Sequence, residues 1–139
     1  MLQQYHDMPV EKRLTLSRIV FEVLRGWEIK EANLVNVLGF PEGTKPRALK
    51  CYSHDTPLPE DEAIMQRVDH ILAIAEALRT TYPHNYRMGK SWLKTPHRRF
   101  NQRSPIDLIL NDGLEGLISV RADLDCAYAW SLTDPNTAK

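Results

Sequence analysis

The chain has 139 residues, of which 42% are apolar and 26% are charged, so it is long enough for one ordinary domain or two small ones and too apolar for a disordered protein. It carries 18 basic and 18 acidic residues, so any nucleic-acid surface has to come from a local patch. No apolar run approaches the roughly 20 residues of a membrane span, and the N-terminal residues lack an apolar signal core. We therefore expect a cytoplasmic protein in which Cys51 and Cys126 are free, buried thiols.

Apolar residues at helical spacing predict three short helices in the first part of the chain. The first is expected to end at Gly26, and the second covers residues 30–38 before Gly39 stops it. A third is possible over residues 46–52, because a proline is tolerated in the first turn of a helix. The predicted inward face of the first helix consists of Leu16, Ile19, Val20, Val23, Leu24 and Trp27.

The clearest helix follows. It opens with acids at positions 60–62, which suit the positive end of the helix dipole, and ends before Tyr82 and Pro83. We place a boundary between two modules there. A further helix is expected to end near Lys94, because the residue before Pro96 is pushed out of helical geometry.

Ser104 and Pro105 mark the start of the next helix. A serine cap, a proline at the first position and Asp107 three residues after the cap form a strong start signal. That helix ends at residues 112–113, and the last one runs from about residue 114 to residue 128. Its predicted inward residues are Leu117, Val120, Leu124 and Tyr128. No segment alternates as a strand does, so the predicted fold class is all-α.

Three short helices with a Leu-Gly pair at the end of the second suggest a helix-turn-helix. The third helix would then lie in the major groove of DNA. Its exposed basic residues, Lys45, Arg47 and Lys50, are the candidate contacts to base edges and phosphates. The alternative is that these three residues form a solvated helix face without a partner.

The charge distribution changes sharply along the second half of the chain. No acid lies between Glu76 and Asp107, whereas six carboxylates follow from Ser104 onward. The basic stretch can be a nucleic-acid strip, a set of cations that pair with the acids of the last two helices, or a protein interface rich in arginine. Its members are Arg79, Arg87, Lys90, Lys94, Arg98, Arg99 and Arg103.

Candidate catalytic or metal-binding groups are weak. Cys51 and His54 have metal-like spacing but lack two further ligands. Gly113 and Gly116 are too close together for a phosphate loop and lack its lysine. No serine or cysteine lies in a nucleophile motif. We therefore expect no metal, no cofactor and no enzymatic activity.

Residues 92–121 resemble the toxin-binding domain of the Xre/MbcA/ParS antitoxins from bacterial toxin–antitoxin operons. A weaker resemblance to the Xre-like helix-turn-helix of that family covers Leu38-Gly39 and residues 58–61, although the turn at residues 40–44 is long and Pro46 shortens the third helix. The residues that match the toxin-binding pattern are Trp92, Leu93, Thr95, Pro96, Phe100, Ser104, Pro105, Ile106, Asp107, Leu108, Gly113, Gly116 and Val120. We expect the two glycines to turn the chain.

The resemblance implies a helix-turn-helix domain at residues 8–80, a small helical toxin-binding module at residues 84–132 and a flexible tail at residues 133–139. It implies a homodimer that represses its own operon and blocks a toxin, commonly a RES-type NAD-consuming enzyme, with the tail over the toxin's active site. The alternatives are a helix-turn-helix regulator without a toxin partner and an adaptor that has lost DNA binding. The candidate toxin contacts are Lys94, Arg98, Arg99, Arg103, Arg121 and Trp130.

Overall fold

The computed structural model describes the backbone of residues 1–133 and the side chains of residues 1–126. The chain divides into two compact units, one of residues Met1–Leu72 and one that starts at Ala73. Over the described residues it consists of α-helices and 3₁₀ helices, with an isolated β-bridge between His97 and Arg103 and no strand. The prediction of an all-α protein is confirmed. None of the helices within this part of the chain has the length and apolar character needed to cross a membrane.

The first unit is built from four helical segments and the start of a fifth. Helix α1 covers Leu2–Asp7, α2 covers Val10–Gly26 and α3 covers Glu31–Leu38. A 3₁₀ helix follows at Pro46–Ser53, and α4 at Glu62–Thr81 begins in the first unit and continues in the second. Gly39 ends α3 in the left-handed conformation (φ 79°), as predicted.

Helix α1 was not predicted from the sequence. Its Tyr5 is fully buried, and the phenol donates a hydrogen bond of 2.5 Å to the carbonyl oxygen of Leu58. The backbone N–H of Leu58 donates in turn to Ser17 Oγ of α2 at 2.8 Å. Burial raises the pKa of Tyr5, so the phenol stays protonated as this donor. The segment around Leu58 is therefore held between α1 and α2 by paired polar groups.

Only half of the predicted inward face of α2 is buried: Leu16 and Val23 are half-buried, and Ile19 is not part of that face. Val20, Leu24 and Trp27 are buried, whereas the Ile19 side chain is 42% exposed. Successive residues of an α-helix are turned by about 100°. Because buried Ser17 lies near the centre of the inward face, Ile19 falls on the opposite side of the helix.

The predicted third α-helix is a 3₁₀ helix instead. Pro46 does not explain the difference, because α6 also begins with a proline and is an α-helix. Bonds between residues three apart are formed at both ends, from Ala48 N to the carbonyl of Lys45 (2.9 Å) and from His54 N to that of Cys51 (3.1 Å). The segment is thus tighter than a recognition helix of the expected type.

The second unit continues with three α-helices and a second 3₁₀ helix. Helix α5 covers Tyr86–Lys94, the 3₁₀ helix covers Arg98–Phe100 and α6 covers Pro105–Asn111. Helix α7 covers Gly113–Thr133 and so extends five residues beyond the predicted end. The sequence between residues 128 and 133 contains no glycine or proline that would stop it.

The core of the second unit agrees with the predicted pattern of α7. Leu117, Val120 and Leu124 are buried, while the side chain of Tyr128 lies outside the described side chains. The prediction for the thiols is only half correct, since Cys51 and Cys126 are free but exposed. Cys126 comes two residues after Leu124 and therefore points away from the core face.

Candidate functional site

Three residues of the basic stretch, Arg98, Arg99 and Arg103, lie in the loop between α5 and α6, residues 95–104, here called the 95–104 loop. Thr95 has an extended backbone, as expected before Pro96. The loop closes on itself through hydrogen bonds from His97 N to the Arg103 carbonyl (3.1 Å) and from Gln102 N to the His97 carbonyl (3.0 Å). Two consecutive residues, Asn101 (φ 56°) and Gln102 (φ 64°), take the left-handed conformation that makes this closure possible.

His97 is the centre of an aromatic cluster at the base of the loop. Its ring lies 5.2 Å from the Trp92 ring and meets the Phe100 ring edge-on at 6.2 Å. His97 Nε2 also lies 2.9 Å from the Trp92 carbonyl oxygen. The two aromatic residues therefore pack on His97 within the module, but both are half-buried and lie outside the buried core in which they were expected. His97 was not predicted as a site residue, because a single histidine in a loop belongs to no periodic pattern.

Arg103 joins the loop to both ends of α6. Its Nε donates to Asp107 Oδ2 at 2.6 Å, and its two Nη atoms donate to the two oxygens of Asp112 at 2.8 and 3.0 Å. The Arg103 guanidinium holds the pKa of Asp107 below its ordinary value, and Asp107 in turn raises the pKa of Arg103, after the larger effect of Asp112. Asp107 N donates to Ser104 Oγ at 3.1 Å, which confirms the predicted cap. The bonds of the Arg103 guanidinium to Asp107 and Asp112 fix where the loop enters α6.

Arg99 joins the loop to α7. Its guanidinium contacts the Asp123 carboxylate through Nε and Nη2, each at 3.0 Å, and the Asp123 side chain is only 16% exposed. Of the three interpretations of the basic stretch, pairing with the acids of the last two helices is therefore correct for Arg99 and Arg103. These pairs hold the loop in one shape.

Of the other candidate contacts, Lys94 ends α5, Arg98 lies on the loop and Arg121 lies on α7. Lys94 and Arg98 are exposed, and Arg121 is half-buried on α7 with its Nε 3.7 Å from Asp125 Oδ2. The side chain of Trp130 and the tail of residues 131–139 lie outside the described side chains. The structure thus brings Arg98, Arg99 and Arg103 together on one loop, with Arg99 reaching the helix that carries Arg121.

Helices α6 and α7 approach each other through Gly116. Gly113 turns the chain with a positive φ of 61°, as predicted. The prediction that Gly116 also turns the chain is wrong, because Gly116 is buried within α7. A Cβ at position 116 would lie 1.9 Å from the carbonyl oxygen of Leu108. The residue is needed for a close backbone approach.

Exposed apolar side chains accompany the basic residues of the second unit. Tyr86 and Met88 of α5 and Ile118 of α7 are exposed. From the sequence, Met88 and Ile118 could as well have been core residues. Aromatic residues and methionine are enriched at protein interfaces, so these residues are candidates for contact with a partner.

The candidate DNA contacts lie on the first 3₁₀ helix. Lys45, Arg47 and Lys50 are exposed, and Leu49 anchors the segment in the core. Arg18 of α2 secures its end, because the guanidinium donates to the His54 carbonyl oxygen through Nε (2.9 Å) and Nη2 (2.5 Å). The three cations therefore extend from a segment that Leu49 and Arg18 hold against the rest of the first unit.

Most of the second unit matches a known protein family. Residues 77–126 match the family model of the antitoxin Xre/MbcA/ParS C-terminal toxin-binding domain. The match includes α5, the 95–104 loop, α6 and the first two-thirds of α7. No curated protein and no solved structure matches the chain. Among the described residues, no group of three histidines, cysteines or acids is arranged to hold a metal ion.

Proposed function

We propose that this chain neutralises a toxin encoded in the same operon. The match at residues 77–126 places the chain among the Xre/MbcA/ParS antitoxins and confirms the resemblance seen in the sequence. The toxin is a RES-type enzyme that consumes NAD, and the antitoxin blocks it by covering the entrance to its active site. The match of the second unit to a toxin-binding domain is the observation that carries this proposal. A binding role needs no catalytic group in this chain.

The 95–104 loop supports the proposal because hydrogen bonds within it, and from it to α6 and α7, define its shape without a partner chain. Ordering a loop on binding costs free energy, and a loop fixed in advance avoids much of that cost. We propose that Lys94, Arg98 and Arg121 contact the toxin directly. Arg99 and Arg103 keep the loop in its binding shape and direct their remaining N–H donors to the toxin. Trp130 and residues 131–139 complete the proposed contact set.

We also propose that the first unit binds operator DNA as part of a homodimer and so represses the operon. In a 3₁₀ helix, side chains three residues apart lie on the same edge. Arg47 and Lys50 therefore share an edge, where both can contact backbone phosphates, with Lys45 at the start of the segment. Two-fold symmetry of the protein would match an inverted-repeat operator.

One observation favours a second candidate, an adaptor that binds the toxin without binding DNA. Sequence readout in the major groove normally uses an α-helix, and the segment that carries Arg47 is a 3₁₀ helix. Salt dependence separates the two candidates. Affinity for operator DNA should fall steeply between low and physiological salt, whereas an adaptor should show no operator complex at either concentration.

Co-expression with the neighbouring gene product tests the antitoxin role. Wild-type protein should restore growth, keep cellular NAD at its normal level and co-purify with the toxin. Arg98→Glu should weaken the complex because it reverses an exposed charge at the centre of the loop. Lys30→Glu, an exposed reversal in the first unit, is the matched control. A harmless neighbour that does not co-purify would contradict the proposal.

A further inference from the structure

The tip of the 95–104 loop holds two strained residues in succession. Asn101 (φ 56°) and Gln102 (φ 64°) both have the left-handed backbone conformation, which is costly for a residue that carries a Cβ. Glycine takes this conformation at Gly39 and Gly113, and Glu28 is the only other non-glycine residue of the described chain with a positive φ. Non-glycine residues held in this way cluster at ligand contacts, so the side chains of the tip are themselves candidates for a function.

Backbone hydrogen bonds hold both residues of the tip in place. Asn101 N donates to the Arg98 carbonyl oxygen at 3.1 Å, and Gln102 N donates to the His97 carbonyl oxygen at 3.0 Å. These bonds use the main-chain donors of the two residues within the loop. The backbone from which the two side chains extend is therefore fixed.

The carboxamides of Asn101 and Gln102 remain for a partner. Both side chains are exposed, and neither forms a hydrogen bond with another residue in the part of the chain that the structure describes. Each carboxamide has an acceptor oxygen and two donor hydrogens. Because the backbone beneath them is fixed, only their rotamers have to be ordered on binding, which lowers the cost of association.

The charges beside the tip are already compensated. Arg99 lies 3.0 Å from the Asp123 carboxylate. Arg103 lies 2.6 Å from the carboxylate of Asp107 and 2.8 Å from that of Asp112. The tip between the two arginines therefore presents neutral polar groups. A peptide group offers one donor and one acceptor, as a carboxamide does, whereas a carboxylate can only accept.

We propose that the carboxamides of Asn101 and Gln102 contact the toxin directly and pair with uncharged polar groups on its surface. The inference rests on the proposed antitoxin function and adds two residues to the proposed contact set. Both lie within residues 77–126, which match a toxin-binding domain. Glycine at either position would relieve the strain of the tip but would remove a carboxamide that the toxin needs.

Two substitutions at Gln102 separate the carboxamide from the backbone strain. Gln102→Ala removes the carboxamide and keeps the Cβ, whereas Gln102→Gly removes both. In the full-length chain, each variant should bind the purified product of the neighbouring gene about five-fold more weakly, which corresponds to the loss of one hydrogen bond. Isothermal titration calorimetry provides this measurement. The glycine variant should nevertheless melt a few degrees above the alanine variant, because glycine relieves the left-handed strain.

Gln66→Ala is the matched control, since Gln66 is an exposed amide on α4 and lies outside residues 77–126. Its affinity for the toxin should equal that of the wild type. Salt gives a second readout that a structural role would not produce. The loss caused by Gln102→Ala should be the same at low and high salt, because neutral contacts are not screened, whereas the loss caused by Arg98→Ala should shrink.

Three results would overturn the inference: toxin affinity unchanged in both Gln102 variants, a loss confined to one of them, or a glycine variant no more stable than the alanine variant. Asn101→Gly should weaken the complex to a similar extent as Gln102→Gly, and wild-type affinity in that variant would remove Asn101 from the contact. A wild-type protein that forms no complex would overturn the antitoxin role and this inference with it. A wild-type complex that Gln102→Gly leaves unchanged would overturn this inference alone.

Discussion

Gly116 of α7 lies against the backbone of Leu108 in α6, so closely that a Cβ on Gly116 would be 1.9 Å from the Leu108 carbonyl oxygen. The turn at Gly113 brings the two helices to this distance although only one residue, Asp112, separates them. Since both partners in the contact are backbone, neither can move aside as a side chain would. The geometry of the toxin-binding module thus depends on the absence of one methyl group.

Gly116→Ala should therefore destabilise the protein strongly. We expect a loss of about 3 kcal/mol in the free energy of unfolding, because the helices must separate to admit the methyl group. Gly89→Ala is the matched control: Gly89 is also buried in a helix, but its Cβ would lie 3.5 Å from the nearest atom, Tyr82 Cδ2. The control should be neutral or slightly stabilising, since alanine favours helix formation. Urea denaturation of both variants provides the measurement, and equal effects would contradict the explanation.

Arg103→Ala should loosen the 95–104 loop. The change removes the bonds to Asp107 and Asp112 and leaves two carboxylates close together without their cation. We expect the melting temperature to fall by a few degrees and amide exchange at Asn101 and Gln102 to accelerate. Arg98→Ala, at an exposed position of the same loop, should leave both quantities unchanged. A melting temperature unaffected by Arg103→Ala would show that the bonds of Arg103 to Asp107 and Asp112 do not stabilise the loop.

The double substitution of Arg47 and Lys50 by alanine tests the DNA proposal. Operator affinity should fall for all sequences, and the dependence of log K on log salt should decrease in slope by about one for each phosphate that the variant no longer neutralises. Toxin neutralisation should be unchanged, because the toxin-binding domain lies in residues 77–126. Failure of both functions together would instead indicate a folding defect, which circular dichroism would reveal.

Acid should destabilise the protein through two carboxylates. The hydrogen bond from His6, with Arg13 nearby, lowers the pKa of Glu60, and Arg103 lowers that of Asp107. A carboxyl whose pKa is lower in the folded state contributes stability above its ordinary range near pH 4, and that stability is lost as the pH falls through the folded value. The melting temperature should decrease when the pH is lowered below about 4. The Asp107→Asn variant should have a lower melting temperature than the wild type at neutral pH and should lose less of it on acidification. Glu42→Gln, at an exposed turn, should follow the wild type.

Local signals in the sequence predicted much of this fold. Ser104 caps α6 as expected, because capping depends on residues only three apart. Leu117, Val120 and Leu124 follow helical spacing, and the match at residues 77–126 agrees with the motif that surrounds Trp92.

Features that depend on distant contacts were missed or mistaken. Helix α1 has a polar sequence whose one buried ring, Tyr5, is fixed by Leu58, 53 residues later. Ile19 has the spacing of a core residue, and only the packing of α2 shows that its side is exposed. For Pro46–Ser53, periodicity predicted a helix but could not distinguish the 3₁₀ form from the α form.

The exposure of the two thiols gives each unit its own attachment point for a spectroscopic probe. Cys51 belongs to the first unit and Cys126 to the second, and both are free in the native sequence. A donor and an acceptor fluorophore can therefore be coupled without introducing any new cysteine. Energy transfer between them would follow, in one molecule at a time, whether capture of a toxin by one unit changes the position of the other.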